Sequence, residues 1–358
     1  MRETTTKTII TSTPQGKNRG DAIYTNCLIE HHQIPQIGVS EMPESNPLAW
    51  LFVLLFPICW VKSASIKAAR LKLRLGREKQ IIVIDHFRNA WLTLLPGKPA
   101  SEILFASHNV ESKIYDQYTQ HYRQRRSIKA LVYHWEYLKV RFWEGFVARR
   151  SNNVSVISID DLVEFRDLYG VQATLVEPRT KLTRGKFTHS SNKGALILGS
   201  FHWKAKQINL LEFLEHAYSD EQNEVPLTIA GNMPQTFLLQ LNNFISRKHL
   251  DRLLKVKPNF VQLSELNGQY NLGLLIDTIG GGFKLKAITY IQLGIPFVAL
   301  QHSFPSNYQV QGATSNNQSQ LLELSKTFLT SKEASLDLFN TQVKLFEDRR
   351  LILSSKGD

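Results

Sequence analysis

The chain alternates short, continuous apolar runs with longer stretches of helical apolar spacing. Lys7–Thr13 (KTIITST) is β-branched and bounded by Pro14, which predicts a strand. A loop, PQGKNRG, follows, and then Asp21–His32 has helical spacing with Asp21 as its cap. Further apolar runs at Ile81–Asp85, Glu102–Ser107, Asn153–Ser158 and Ala173–Glu177 predict strands, with helix-compatible segments between them. Runs that are apolar throughout, rather than alternating, suit strands covered on both faces.

The rhythm breaks at Pro178–Gly194, which is polar, basic and poor in apolar residues. It then restarts with the strand Ala195–Ser200, the helix INLLEFLEHAY, the strand PLTIAG, the helix QTFLLQLNNFISRKHL and the strand Leu272–Asp277. Gly280–Gly282 and an amphipathic helix follow, then the strand Pro296–Leu300 and a last helix over about 331–351. The prediction is α/β with two Rossmann-like domains. The first covers 1–180, a linker 181–194, the second 195–335, and a C-terminal helix over 336–358 is free to pack back on the first domain. Two such domains in series leave a cleft, and ligands of open α/β sheets bind beyond the carboxyl ends of the strands.

Composition narrows this. Of 358 residues, 42% are hydrophobic, enough for ordinary cores, and the net charge of +12 favours an anionic partner. Two cysteines, Cys27 and Cys59, and no Cys/His cluster signal neither a disulfide framework nor a zinc site. The N-terminus lacks a charged-then-apolar leader pattern, which predicts a cytoplasmic location. No nucleic-acid-binding motif is present. Leu48–Val61 is an apolar run broken by Pro57 and short of the ~20 residues of a spanning helix. The segment that follows carries Lys62, Lys67, Arg70, Lys72, Arg74, Arg77 and Lys79 against Glu78 alone. Residues 48–79 therefore suit an anionic membrane surface, the alternative being a buried helix with a solvated flank.

The triple glycine is where chemistry enters. Glycines before a helix let an anion reach the free N–H groups of its first turn, and Lys284 and Lys286 add charge. The alternative is a plain strand-to-helix turn with solvated lysines. Neither G-x-x-x-x-G-K-[ST] nor G-x-G-x-x-G is present.

GGGFKLKAITYIQLGIPFVAL (Gly280–Leu300) resembles the G-G-G-x-x-x-K-x-x-E-x-x-x-x-G-x-P-V-V stretch of GT-B glycosyltransferases, especially family 4. The match covers Gly280, Gly281, Gly282, Lys286, Gly294, Pro296 and Val298. LFASHNVES (Leu104–Ser112) is similar to the family's H-N-x-E segment, and Phe142–Gly170 to a later one through Glu144, Ser158 and Asp161. The resemblance implies a GT-B fold and metal-independent transfer of a sugar, from a UDP- or GDP-sugar, to a lipid-linked or oligosaccharide glycan in cell-surface polysaccharide assembly. It implies no cofactor. A setting at the inner face of the plasma membrane follows from joining it to residues 48–79.

It also implies site residues. His108 would touch the donor sugar, and Glu111 would orient an acceptor or act electrostatically; capping or packing are the alternatives. Gly280, Gly281, Gly282 and Lys286 would cradle the diphosphate. Gly16 and Gly20 in the first loop would face the cleft on the donor's side, a plain loop being the alternative, and Ser200, Lys204 and Lys206 would lie where the donor phosphates pass, solvated side chains being the alternative. The family's glutamate pair would fall on Gly281 and Thr289, so both acids are missing and Thr289 would contact the ribose. Membership of family 4 would imply retention of anomeric configuration. The rival readings are a non-catalytic GT-B subunit and a GT-B sugar-nucleotide epimerase.

Overall fold

The apolar runs become the centres of two six-stranded parallel sheets in the computed structural model. It describes residues 6–11, 20–34, 39–41, 47–66, 69–70, 73, 80–95, 102–180, 183–190, 193–219, 224–259 and 263–353. One unit comprises 1–179 together with 281–283, and the other 180–280 together with 284–358.

In the first unit the strands are β1 (Thr6–Thr11), β2 (Val39–Glu41), β3 (Gln80–Asp85), β4 (Glu102–Ser107), β5 (Asn153–Val156) and β6 (Thr174–Leu175). Their order is β2-β1-β3-β4-β5-β6. The chain steps outward from β1 to β2 and then returns to β1's other side with β3. The sheet therefore switches direction between β1 and β3, where Ile9 pairs with Val83 and Ile10 with Ile84. Its helices include α1 (Gly20–His32), α2 (Ile58–Ser63), α3 (Glu111–Gln124), α4 (Lys129–Arg150) and α5 (Ile159–Tyr169). The apolar run 48–61 is not one helix. It is a 3-10 segment over Pro47–Phe52, a turn, and α2 beginning after Pro57.

In the second unit β7 (Ala195–Leu198), β8 (Leu227–Gly231), β9 (Leu254–Pro258), β10 (Leu272–Leu275), β11 (Phe297–Leu300) and β12 (Thr314–Ser315) run in the order β12-β11-β10-β7-β8-β9. β7, β8, β10 and β11 are buried along their whole length, as strands covered on both faces must be. The switch here lies between β7 and β10. Direct pairing runs over Leu272↔Ala195 and Gly273↔Leu196. Past that point the strands are joined by a side chain. The buried Tyr290 hydroxyl accepts from the Leu198 N–H (3.1 Å) and lies against the Leu196 (3.1 Å) and Leu274 (3.0 Å) carbonyls. Gly273 makes room for the ring, since a Cβ there would come 2.4 Å from Tyr290 Cγ.

The helices of this unit include α6 (Lys204–Ala217), α7 (Gln235–Arg247), α8 (Lys286–Gln292), α9 (Gln318–Thr330) and α10 (Lys332–Asp348). The segment expected as a linker is tied to this unit. Gly185 N–H donates to Ile291 O, and the Asn271 side chain bonds Ser190 and Lys193. The C-terminal helix belongs to it too: Gln342 bonds both the N–H and the carbonyl of Phe297 in β11.

Candidate functional site

Each unit carries a buried polar cluster at its own switch point. In the first unit, β3 ends on Asp85, which is fully buried. Its Oδ2 accepts from Thr11 Oγ1 (2.6 Å) at the end of β1 and from Thr25 Oγ1 (2.8 Å) in α1. Its Oδ1 pairs with His108 Nε2 at 2.7 Å. Burial alone would raise the Asp85 pKa. The His108 charge and the three side-chain hydrogen bonds outweigh it and hold the carboxyl below its usual range. An ionised Asp85 thus accepts from Nε2 and fixes the ring, while Tyr24 packs edge-on against it. His86 follows Asp85 at φ +75°, a conformation uncommon for a non-glycine residue, and its ring lies 4.8 Å from the His108 ring, tilted by 36°.

Next to His108, α3 starts without a side-chain cap of its own, because its N-cap is Val110. Glu144, buried in α4, supplies one from a distance. Its carboxylate accepts from the N–H groups of Glu111 (2.8 Å) and Ser112 (3.1 Å) and from the Tyr169 hydroxyl (2.7 Å). Burial and the neighbouring Glu144 carboxylate push the Glu111 pKa up to about 8.

In the second unit, the residue two beyond β10 is Asp277, also buried. Lys206 Nζ from α6 lies 2.8 Å from its Oδ1, and Lys286 Nζ, at the first position of α8, lies 3.1 Å from its Oδ2. Lys284 is buried nearby. Burial alone would raise the Asp277 pKa, but the ammonium groups of Lys206, Lys286 and Lys284 drive it far down. Lys206 moves the other way. Burial first, opposed by Asp277 and assisted by Lys286 and Lys284, lowers its pKa to about 7. Asn209 braces the loop after β10, donating to Asp277 Oδ1 and Ile279 O and accepting from Thr278 Oγ1 and Ile279 N–H. Two lysines share one carboxylate, so a proton taken up by Lys206 leaves a positive charge in excess there.

No protein-family model matches the sequence, and no curated protein sequence matches it. Solved structures do match. HepE of Anabaena, in complex with UDP and glucose, is 14% identical over 96% of this chain and 95% of its own, with a TM-score of 0.66. Sucrose-phosphate synthase of Thermosynechococcus elongatus is 13% identical over 96% and 94%, with a TM-score of 0.69. The fold is GT-B. TarM of Staphylococcus aureus, in complex with fondaparinux, α-GlcNAc-glycerol and UDP, shares the GT-B architecture at 12% identity and a TM-score of 0.61. There the match covers 79% of this chain and 55% of TarM, so the chain spans about half of TarM's length.

Within the second GT-B unit, Lys206 and Lys286 come together at Asp277 and Gly280 lies against Lys284 Nζ, whereas Lys204 is exposed and bonds Gln207. Ser200 is exposed just past the end of β7. Thr289 is half-buried one turn beyond Lys286, and its hydroxyl leans on the Leu285 carbonyl (3.4 Å). The sequence reading has the triple glycine open the helix, and the structure does not. α8 begins only at Lys286, after an irregular segment. Two of the glycines are needed for their backbone: Gly280 has φ +136° and Gly282 φ +65°. Gly281 has neither a positive φ nor a close neighbour within 3.4 Å. In the first unit His108 is buried and Glu111 partly so. Gly20 is the first residue of α1, and Gly16 lies outside the described residues. Sequence reasoning missed Asp85, Asp277, Asn209 and the capping role of Glu144. A signal for two of them was present: both switch-point strands run out in Ile-Asp, as IIVID and LGLLID.

Proposed function

We propose that this protein transfers a sugar from a nucleotide-diphosphate donor to a glycan acceptor. The observation that carries the reading is the Lys206–Asp277–Lys286 cluster at the switch point of the second sheet. Asp277 holds both lysine side chains in place, its single charge cannot neutralise both once Lys206 takes up a proton, and Asn209 fixes the backbone beside them. Such prearranged charge suits a departing nucleoside diphosphate, whose negative charge grows as the glycosidic bond breaks. In this role the chain's own lysines neutralise the diphosphate, with Gly280–Gly282 allowing its approach and Thr289 placed for the ribose. The UDP bound by HepE and TarM supports a UDP-sugar donor, with a GDP-sugar as the second choice. His108, its ring fixed by Asp85, is assigned to the donor sugar, and Glu111 to the acceptor side. The acceptor we favour is a lipid-linked glycan of cell-surface polysaccharide, met at the inner face of the plasma membrane.

The test is release of nucleoside diphosphate when donor and acceptor are mixed. Lys286→Ala should lower turnover by about 10²–10³, the scale for one lost charge-stabilising donor. Unchanged turnover in a folded Lys286→Ala protein would refute the assignment. The missing glutamate pair at Gly281 and Thr289 favours a second reading, a non-catalytic GT-B subunit. Tight nucleotide binding with no release in the presence of acceptors would favour it. Conversion of the free sugar nucleotide without acceptor would point instead to an epimerase.

A further inference from the structure

α4 is 22 residues long and two-sided. Its inner side buries Val140, Glu144, Val147 and Ala148 in the first unit's core. Its outer side exposes Leu131, Trp135, Leu138 and Phe142, a stripe at helical spacing that begins just before the helix at Ile128 (79% exposed). Single exposed apolar residues are ordinary, but a run of them along one helix is not.

The stripe is widened by a second element. The turn that follows the Pro47–Phe52 segment is pinned to α4 through its backbone. Lys139 Nζ donates to the carbonyls of Val53 (2.7 Å) and Phe56 (3.1 Å), Trp143 Nε1 donates to Leu55 O (3.0 Å), and Glu136 accepts from Ile58 N–H (3.1 Å). The helix thus satisfies the polar groups of the turn and leaves its side chains pointing away. Leu51, Leu54 and Leu55 are 78%, 70% and 67% exposed, and Phe52 is 53% exposed. A turn whose backbone is satisfied and whose leucines are bare is costly in water.

Charge decides what covers this face. Residues 47–73 contain no carboxylate, and residues 121–150 contain only Glu136 and Glu144, both buried. The exposed charges of the two segments are therefore uniformly basic: Lys62 and Arg70 in one, and Arg123, Arg125, Arg126, Lys129, Arg141, Arg149 and Arg150 in the other. A second copy of the chain would set arginines against arginines. Aliphatic tips ringed by cations match instead a surface with anionic headgroups over acyl chains. Among the described residues no helix is long and apolar enough to cross a membrane.

We propose that the first unit docks on an anionic phospholipid surface through this composite face, with Leu51, Leu54 and Leu55 entering the headgroup boundary and the arginines beside α4 meeting lipid phosphates. Of the basic run first expected to do this, Lys67, Lys72, Arg74, Arg77 and Lys79 lie outside the described residues. The proposal deepens the lipid-linked-acceptor reading but fails separately from it. Loss of vesicle binding would leave nucleotide release to a soluble acceptor intact, and the converse holds.

The experiment is co-sedimentation of the full chain with vesicles of phosphatidylcholine alone or with phosphatidylglycerol, at low and high salt. The wild type should bind the anionic vesicles at least tenfold more tightly than the neutral ones and weaken as salt rises. Arg125→Gln, Arg126→Gln and Arg141→Gln together should lose about 10²-fold on anionic vesicles. Leu51→Ser, Leu54→Ser and Leu55→Ser together should keep low-salt attraction and detach at high salt. All these side chains are exposed, and the lipid and salt series on the wild type needs no variant. Equal affinity for neutral and anionic vesicles would overturn the proposal. So would absence of binding at low salt, or a wild-type dimer that the leucine variant dissociates while vesicles are ignored.

Discussion

Lys206 carries a prediction that can be worked through in numbers. Its folded-state pKa is lowered to about 7, so at pH 8 most molecules hold it neutral. A diphosphate placed between Lys206 and Lys286 would favour the charged form. If it restores the ordinary lysine value of about 10.4, binding at pH 8 takes up about 0.9 proton. The sign follows: affinity falls as pH rises above 7. Between pH 8 and 9 the loss is about ninefold, or ~1.3 kcal/mol. The nucleotide's terminal phosphate, with a second pKa of about 6, is already fully ionised there and adds no slope. Isothermal titration of UDP in two buffers of different ionisation enthalpy reads both quantities, as proton uptake and as the change in dissociation constant. Lys206→Arg should flatten the profile, because a guanidinium stays charged throughout. Equal UDP affinity at pH 7.5 and 9, with no buffer-dependent heat, would show that Lys206 does not meet the phosphates.

Other consequences are as direct. Glu144→Ala strands the N–H groups of Glu111 and Ser112, while the Tyr169 hydroxyl keeps Ser112 Oγ as a partner, and should cost about 2–3 kcal/mol in urea unfolding, against about 1 for Tyr169→Phe; equal losses would remove the remote cap. Gly273→Ala drives a methyl into the Tyr290 ring and should cost about 1–3 kcal/mol; an unchanged melting temperature would contradict the packing. The raised pKa of Glu111, about 8, means that the folded state binds the proton more tightly than the unfolded chain. Its contribution to stability is therefore full below about pH 4.5 and lost as pH climbs through 8. Glu111→Gln should raise the melting temperature at pH 8–9 relative to the wild type and leave it nearly level at pH 4; the opposite ordering would refute the burial argument.

The two-sheet architecture was legible because most of its central strands are short, continuous apolar runs separated by helix-length segments, whereas the longer apolar run 48–61 is broken by Pro57 and forms no strand. The margins were not. β9 (LKVKP) alternates lysine with apolar residues because it is an edge strand, β2 and β12 are two or three residues long, and α9 follows a polar Asn-rich stretch whose cap is Asn317. The lysines around Asp277 were legible through the glycine stretch and the β7–α6 loop. Asp277 and Asn209 were not, because 68 residues separate them and only the crossing of β10 beside β7 brings them together. The same holds for Asp85 and His108, on neighbouring strands' ends, and for Glu144, whose place in a matched segment says nothing of the helix it caps.

The fork between β7 and β10 gives α8 a double duty. Over seven residues it presents Lys286 to Asp277 at its start and inserts Tyr290, four positions on, between the parting strands. The gauge of the opening and the reach of the cation are therefore set by one short rigid piece. They are not independent variables. A substitution that lets α8 slide or turn changes how far the strands stand apart and where the ammonium sits in a single stroke. Resetting the distance between the strands without moving the ammonium would mean exchanging α8 together with Gly273, the socket that receives it, as one cassette.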